Sequence, residues 1–133
     1  MVQLFEQIPE PGFGMVFPAP VDVQLSEHDV VQPDIIVVLT NNSVVQETRI
    51  VGTPDLVVEV LSASTRRRDE TLKRQLYEQY QVPEYWIVDP DAHIVQQLRL
   101  AEDRTFEKAL QTTETIIYGA VPNGALIDLT RVW

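Results

Sequence analysis

The sequence predicts an α/β (α+β) domain organised around one mixed β-sheet, and three observations support this fold class. Short runs of valine, isoleucine and leucine are apolar at successive positions, which is typical of strands buried on both faces. A helical pattern lies between two of these runs, and a strand–helix–strand unit of about 35 residues implies that its strands are parallel. The last third of the chain contains further strand patterns separated by turns, which favours a meander.

The first third of the chain predicts an arm and two strands. Residues 1–14 are rich in proline and glycine and predict an extended arm, with a short strand or turn at 2–8. Residues 16–25 alternate apolar and polar side chains in their second half and predict a strand, whose two prolines indicate an edge or a bulge. Residues 30–39 predict a second strand, and residues 44–51 predict a connection or a short helix.

The middle of the chain has the most regular pattern. Residues 55–61 predict a strand, DLVVEVL, that is apolar at every position after the first except Glu59. Residues from 67 to 81 predict a helix that ends before Pro83. Three residues of this helix are spaced by four and predict its buried stripe: Leu72, Leu76 and Tyr80.

The last third of the chain predicts short strands joined by turns. The strand patterns lie at residues 85–89, 93–100, 106–110 and 116–118, and a hydrophobic tail follows at 126–132. Together with the strands before the helix, they complete the single mixed sheet.

Length and composition set the class of protein. A chain of 133 residues predicts a single domain over residues 1–133 that is large enough to bury a core. The sequence has no cysteine, which excludes disulfides, thiolate metal sites and a cysteine nucleophile, and its two histidines lie far apart. No apolar stretch reaches the length of a membrane helix and no signal peptide opens the sequence, so we expect a soluble, cytoplasmic protein.

Glu59 is energetically unfavourable at its position in a buried strand, because burying a carboxylate costs roughly several kcal/mol unless it is paired, protonated or bound to a metal. If the strand at 30–39 pairs antiparallel with the strand at 55–61, Asp34 comes close to Glu59. Two carboxylates at neighbouring strand ends suit Mg²⁺, which takes few protein ligands and keeps several waters. Lys73, on the helix that leaves the same strand, could orient a water molecule or neutralise developing charge.

Each of these residues also has a structural alternative. Asp34 and Asp55 both follow a proline, and either could cap a turn. Lys73 could pair with Asp69 four residues earlier on the helix. Glu59 could be the structural partner of an arginine in a buried ion pair.

The charge distribution bears on the partner. A formal net charge of −10 argues against nucleic acid, because phosphate binding needs clustered lysine and arginine. The local exception is a triplet, Arg66, Arg67 and Arg68, followed by Lys73 and Arg74. This run predicts either a solvated helix start or a patch that contacts a nucleic-acid backbone.

Several motifs resemble those of a widespread bacterial family of restriction-endonuclease-like proteins in the PD-(D/E)XK nuclease superfamily. They are GTPDLVVEVLS at 52–62, Ser64-Thr65, Arg68-Asp69, Lys73, Tyr77, PEYWIVDP at 83–90 and, upstream, Gln32-Pro33-Asp34-Ile35. The resemblance extends from about residue 22 to residue 100, with a weaker similarity at 124–133. It implies a restriction-endonuclease-like core, in which a mixed sheet is flanked by helices.

The resemblance also implies a site. Asp34 and Glu59 would hold Mg²⁺ or Mn²⁺, and Tyr77 would sit beside Lys73. The last motif residue of the superfamily, a lysine, would fall at position 61, where this chain has Leu61, and Lys73 is the residue that fits a lysine supplied from the following helix. Asp55 would be a further acidic member or only the cap that opens the strand.

A second departure concerns the beginning of the chain. Members of the family usually have an acidic N-terminal helix, which is missing from this sequence, so one face of the sheet could be left bare and covered in a homodimer. We therefore expect a Mg²⁺-dependent nuclease that hydrolyses phosphodiester bonds in nucleic acid, with DNA as the first candidate. The alternatives are a non-catalytic binding or assembly module with the nuclease fold, and a degenerate remnant.

Overall fold

The fold is known from a computed structural model, which describes residues 14–39, 42–62, 69–112, 116–118 and 126–128. Within these ranges the secondary structure, in chain order, is β1 Gly14–Pro18, β2 Val23–Gln24, β3 Val30–Val31, β4 Ile35–Leu39, β5 Ile50–Val51, β6 Leu56–Val60, a π-helical turn Asp69–Lys73, α1 Arg74–Gln79, β7 Glu84–Asp89, β8 Ile94–Leu100, β9 Phe106–Thr112, β10 Ile116–Tyr118 and β11 Leu126–Asp128. None of the helices within the described ranges has the length and apolar character needed to cross a membrane.

The main sheet has six strands in the order β1-β4-β6-β7-β8-β9. Strands β6 and β7 are parallel, as expected for the two sides of a strand–helix–strand unit, and the other neighbours are antiparallel. A three-stranded sheet, β3-β2-β5, and a two-stranded sheet, β10-β11, accompany it, so the expectation of one sheet is wrong for these five strands. The mixed α+β fold class predicted from the sequence is therefore confirmed.

Both faces of the central strands are buried, as the continuous apolar runs predict. On one face, Val57, Leu61, Tyr85 and Ile87 belong to the core that packs against Tyr77 of α1. The rings of Tyr77 and Tyr85 meet edge to face, with centroids 5.0 Å apart. Such aromatic pairs contribute about 0.5–1.5 kcal/mol beyond the area they bury, so this contact helps to fix the helix on the sheet.

Two predicted strands are interrupted. Residues 16–25 form β1 and β2, which belong to different sheets, and residues 30–39 form β3 and β4. The breaks coincide with Pro18, Pro20 and Pro33, because proline has no backbone N–H to donate to a ladder. Residues 44–51 contain β5 and an isolated bridge between Val45 and Ile50, and the short helix considered there is absent.

The buried stripe predicted for the helix is wrong at its first residue. Leu72 is 53% exposed, whereas Tyr77 is 0% exposed. Leu76 and Tyr80 pack only partly against the core. Leu72 lies in the π-helical turn Asp69–Lys73, outside the regular α-helix Arg74–Gln79, so a buried stripe drawn with one regular period does not extend to it.

Some expectations concern residues outside the described ranges. They include the arm before Gly14, the expectation that no N-terminal helix is present, and the first residues of the predicted helix, 67 and 68. The predicted strand at 116–118 is β10, and the part of the hydrophobic tail that the structure describes is β11.

Candidate active site around Glu59

The pairing of β4 with β6 brings Asp34 and Glu59 together. Asp34 directly precedes β4, and Glu59 is the last residue but one of β6. The two strands are antiparallel with Ile35 opposite Val58, so the start of β4 meets the end of β6. The proximity expected from an antiparallel pair is thus present.

Reciprocal hydrogen bonds lock the two carboxylates. The backbone N–H of Asp34 donates to Oε1 of Glu59 at 3.1 Å, and the backbone N–H of Val60 donates to Oδ2 of Asp34 at 2.7 Å. Each carboxylate therefore accepts a hydrogen bond from a backbone N–H at or next to the other acidic residue. Hydrogen bonds to charged groups contribute about 1.5–3 kcal/mol each, enough to hold both side chains in one orientation.

The helix supplies two further groups, and both reach the same oxygen of Glu59. The ammonium of Lys73 lies 2.6 Å from Oε2, and the hydroxyl of Tyr77 donates to Oε2 at 3.0 Å. Lys73 is the last residue of the π-helical turn and Tyr77 lies on α1, and their contacts with one oxygen of Glu59 show that both side chains face the sheet. The side chain of Lys73 is 34% exposed and that of Glu59 is 2% exposed, so the lysine connects a buried carboxylate with the surface.

Burial dominates the electrostatics of this cluster. It raises the pKa of Glu59 above its ordinary value, while the hydrogen bond and charge of Lys73, the hydroxyl of Tyr77 and the N–H of Asp34 act in the opposite direction. Burial and the negative charge of Glu59 raise the pKa of Tyr77, which therefore stays protonated and remains a donor. The three donors are what make a carboxylate tolerable inside an apolar sheet.

The donor set fits a small hard cation. No group of three or more acidic or histidine side chains suited to a metal ion occurs among the described residues. The Asp34–Glu59 pair nevertheless meets the usual requirement of Mg²⁺, which binds through one or two carboxylates and keeps several waters. The hydrogen bonds of Asp34 with described residues use Oδ2 and leave Oδ1 for another ligand.

Asp55 is not part of this cluster. Its Oδ2 accepts hydrogen bonds from the backbone N–H of Leu39 at 2.8 Å and from the side-chain amide of Asn42 at 3.0 Å. It precedes Glu59 by four residues of extended chain, which is about 13 Å. Asp55 therefore ties the start of β6 to the end of β4, in agreement with the capping alternative.

The remaining predicted residues have different outcomes. Arg66, Arg67 and Arg68 lie outside the described residues. The side chain of Asp69, the alternative partner of Lys73, is not described either. Glu59 is paired with a lysine and a tyrosine among the described residues, not with an arginine.

Sequence reasoning missed a second buried acid, Glu84, which is 1% exposed. Its Oε1 accepts from Nε of Arg99 at 3.2 Å, and its Oε2 accepts from the indole N–H of Trp86. Glu84 lies opposite Leu56 across the parallel pair, at the far end of β6 from Glu59 and on the other face of the sheet. The available signal was its spacing of two from Trp86, which places both side chains on one face of a central strand.

Comparison with known proteins bears on the family and the fold. The chain matches the family model described as "Uma2: Putative restriction endonuclease" over residues 1–129. Its structure is similar to the crystal structure of a putative nuclease belonging to DUF820 from Anabaena variabilis, with a TM-score of 0.71 and 16% sequence identity. The match covers 98% of this chain and 74% of the other, and it shows that the two proteins have the same fold. No protein with a curated description matches the chain.

Proposed function

The chain belongs to the Uma2 family, described as putative restriction endonucleases, and on this basis we propose that it is a metal-dependent nuclease. It hydrolyses phosphodiester bonds in nucleic acid, with DNA as the substrate that the family description suggests. The proposal rests on one observation: a carboxylate that is 2% exposed, Glu59, lies beside Asp34 and 2.6 Å from the ammonium of Lys73. Perturbed acids that cluster with a cation at a strand end are typical of catalytic sites.

Asp34 and Glu59 hold the cation, and Lys73 acts on the reacting groups. A bound Mg²⁺ or Mn²⁺ supplies Lewis acidity at the phosphoryl group and lowers the pKa of water. The partly exposed ammonium of Lys73 donates a hydrogen bond to the attacking water or to a phosphate oxygen, where negative charge develops. An oxygen–phosphorus bond forms to the water, which releases a proton to solvent, while the bond to one ester oxygen breaks and that oxygen takes up a proton from solvent.

The substrate contacts need positive charge that a chain of net charge −10 supplies only locally. The triplet Arg66, Arg67 and Arg68 precedes the helix whose Lys73 reaches Glu59, and we assign it to the nucleic-acid backbone. The expected homodimer and cytoplasmic location stay predictions of the sequence.

A plasmid-cleavage assay tests the proposed reaction. Wild type should nick supercoiled DNA with Mg²⁺ or Mn²⁺ and stop in EDTA, whereas Lys73→Ala and Asp34→Ala should lose about 100-fold or more of the rate. Arg104→Ala is the matched control, because it removes an exposed cation from the turn between β8 and β9. Absence of cleavage together with absence of cation binding in calorimetry would favour the non-catalytic module.

A further inference from the structure

We propose that Tyr77 is a positioning residue that makes the Asp34–Glu59 site selective for small divalent cations, Mg²⁺ and Mn²⁺, over Ca²⁺. The inference rests on the proposed function, since it takes the two carboxylates as the ligands. It goes beyond that function because it assigns a separate task to each oxygen of Glu59.

The assignment follows from counting lone pairs. A carboxylate has about four, two on each oxygen. Oε2 of Glu59 accepts hydrogen bonds from both Lys73 at 2.6 Å and Tyr77 at 3.0 Å, and these two bonds use both of its lone pairs. Oε1 accepts a hydrogen bond from the backbone N–H of Asp34 at 3.1 Å, which leaves one lone pair on Oε1. A cation can therefore reach Glu59 through Oε1 alone.

This restriction separates the two kinds of cation. Mg²⁺ binds carboxylates through one oxygen and completes its shell with water, whereas Ca²⁺ takes six to eight ligands and readily uses both oxygens of a carboxylate. Two-oxygen binding at Glu59 requires Oε2 to lose one of its donors. The pair of donors on Oε2 thus acts against Ca²⁺ and leaves Mg²⁺ unaffected.

Tyr77 is the more constant of the two donors. Its side chain is 0% exposed and its ring is held edge to face by Tyr85, so the hydroxyl has one position. Lys73 is a long side chain that is 34% exposed and can rotate into solvent. The tyrosine therefore keeps Oε2 occupied when the lysine turns to the substrate.

The test compares the dissociation constants of Mg²⁺ and Ca²⁺, measured by titration calorimetry. In Tyr77→Phe, the preference for Mg²⁺ over Ca²⁺ should fall about fivefold or more relative to wild type, because one lone pair of Oε2 becomes available. Tyr80→Phe is the matched control. It removes a hydroxyl from the turn that ends the same helix, where the hydroxyl donates to Asp29 and Ser26 instead. The ratio of the Mg²⁺ and Ca²⁺ dissociation constants in Tyr80→Phe should equal that of wild type.

A second variant keeps the test decisive if Tyr77→Phe does not fold. Lys73→Met removes the other donor from Oε2. The lost charge changes the affinity for both dications in the same direction. Only the freed lone pair therefore changes the ratio of the Mg²⁺ and Ca²⁺ dissociation constants, and the preference for Mg²⁺ should again fall. An unchanged ratio in a folded variant would overturn the role of Tyr77 and leave the nuclease proposal standing. If wild type, compared with Asp34→Asn, binds neither cation, both proposals fall.

Discussion

Replacing Lys73 by methionine should destabilise the protein in a way that depends on pH. The change keeps most of the side-chain volume and removes the ammonium 2.6 Å from Oε2 of Glu59. Removing one partner of a fully buried ion pair costs about 3–5 kcal/mol. Lys73 is 34% exposed, and Glu59 keeps its hydrogen bonds from Tyr77 and Asp34, so we expect about 1.5–3 kcal/mol above pH 7.

The sign of the pH dependence follows from the pKa of Glu59. Burial already raises this pKa from its ordinary value of 4.5, and Lys73 opposes the rise, so the variant has a still higher pKa. An acid with a raised pKa in the folded state contributes its stability below pH 4.5, and this is lost as the pH rises through the folded pKa. Each unit of additional shift costs about 1.4 kcal/mol above that pKa. The two proteins should therefore differ little near pH 4.5 and increasingly above it.

Urea unfolding without divalent cations, at several values of pH between 4.5 and 8, measures this difference. Arg104→Met serves as the control for the lost positive charge, because Arg104 is exposed in the turn between β8 and β9. Its effect on the free energy of unfolding should be within about 0.5 kcal/mol at each pH. A gap between wild type and Lys73→Met that stays constant across this range would refute the coupling of Lys73 to Glu59.

Three further variants test the site and its support. Asp34→Asn should abolish the stabilisation by Mg²⁺, which for wild type is about 2.7 kcal/mol at a hundred times Kd, measured by thermal unfolding; a retained response would exclude Asp34 as a ligand. Asp55→Ala should cost about 1–3 kcal/mol in urea unfolding, because the backbone N–H of Leu39 loses its acceptor, while calorimetry should find unchanged affinity for Mg²⁺; weaker binding would return Asp55 to the site. Gly52→Ala should cost at least about 1 kcal/mol, since Gly52 has φ of 120° and a Cβ there would lie 2.7 Å from Val44; an unchanged midpoint in urea would contradict this backbone conformation.

The central strands could be predicted because their signals are local. Uninterrupted valine and leucine indicate burial on both faces, and the crossover makes β6 and β7 parallel. The proximity of Asp34 to Glu59 needed one added assumption, the antiparallel pairing of β4 with β6, which the structure confirms. The geometry around Glu59 was thus accessible from strand periodicity and from the cost of a buried charge.

The phase of the helix could not be predicted in the same way. Apolar spacing selected Leu72, yet the residues that face Glu59 are Lys73 and Tyr77. The predicted stripe requires one regular helical period, whereas a π-helical turn with a different period precedes α1. The interaction that places these two residues is tertiary, since both bind Glu59, a contact that apolar spacing along the helix does not encode.

The source of the ammonium links the site to the core. Leu61 is 4% exposed and belongs to the same core cluster as Tyr77, so the strand position at which the resemblance implies a lysine is used for packing. The ammonium comes instead from the helix, and its distance to Glu59 depends on how that helix sits on the sheet. Tyr77 sets this position, because one side chain both packs against Tyr85 and donates to Glu59. The contact that anchors the helix is therefore also the contact that orients the carboxylate, so the site and the core form together.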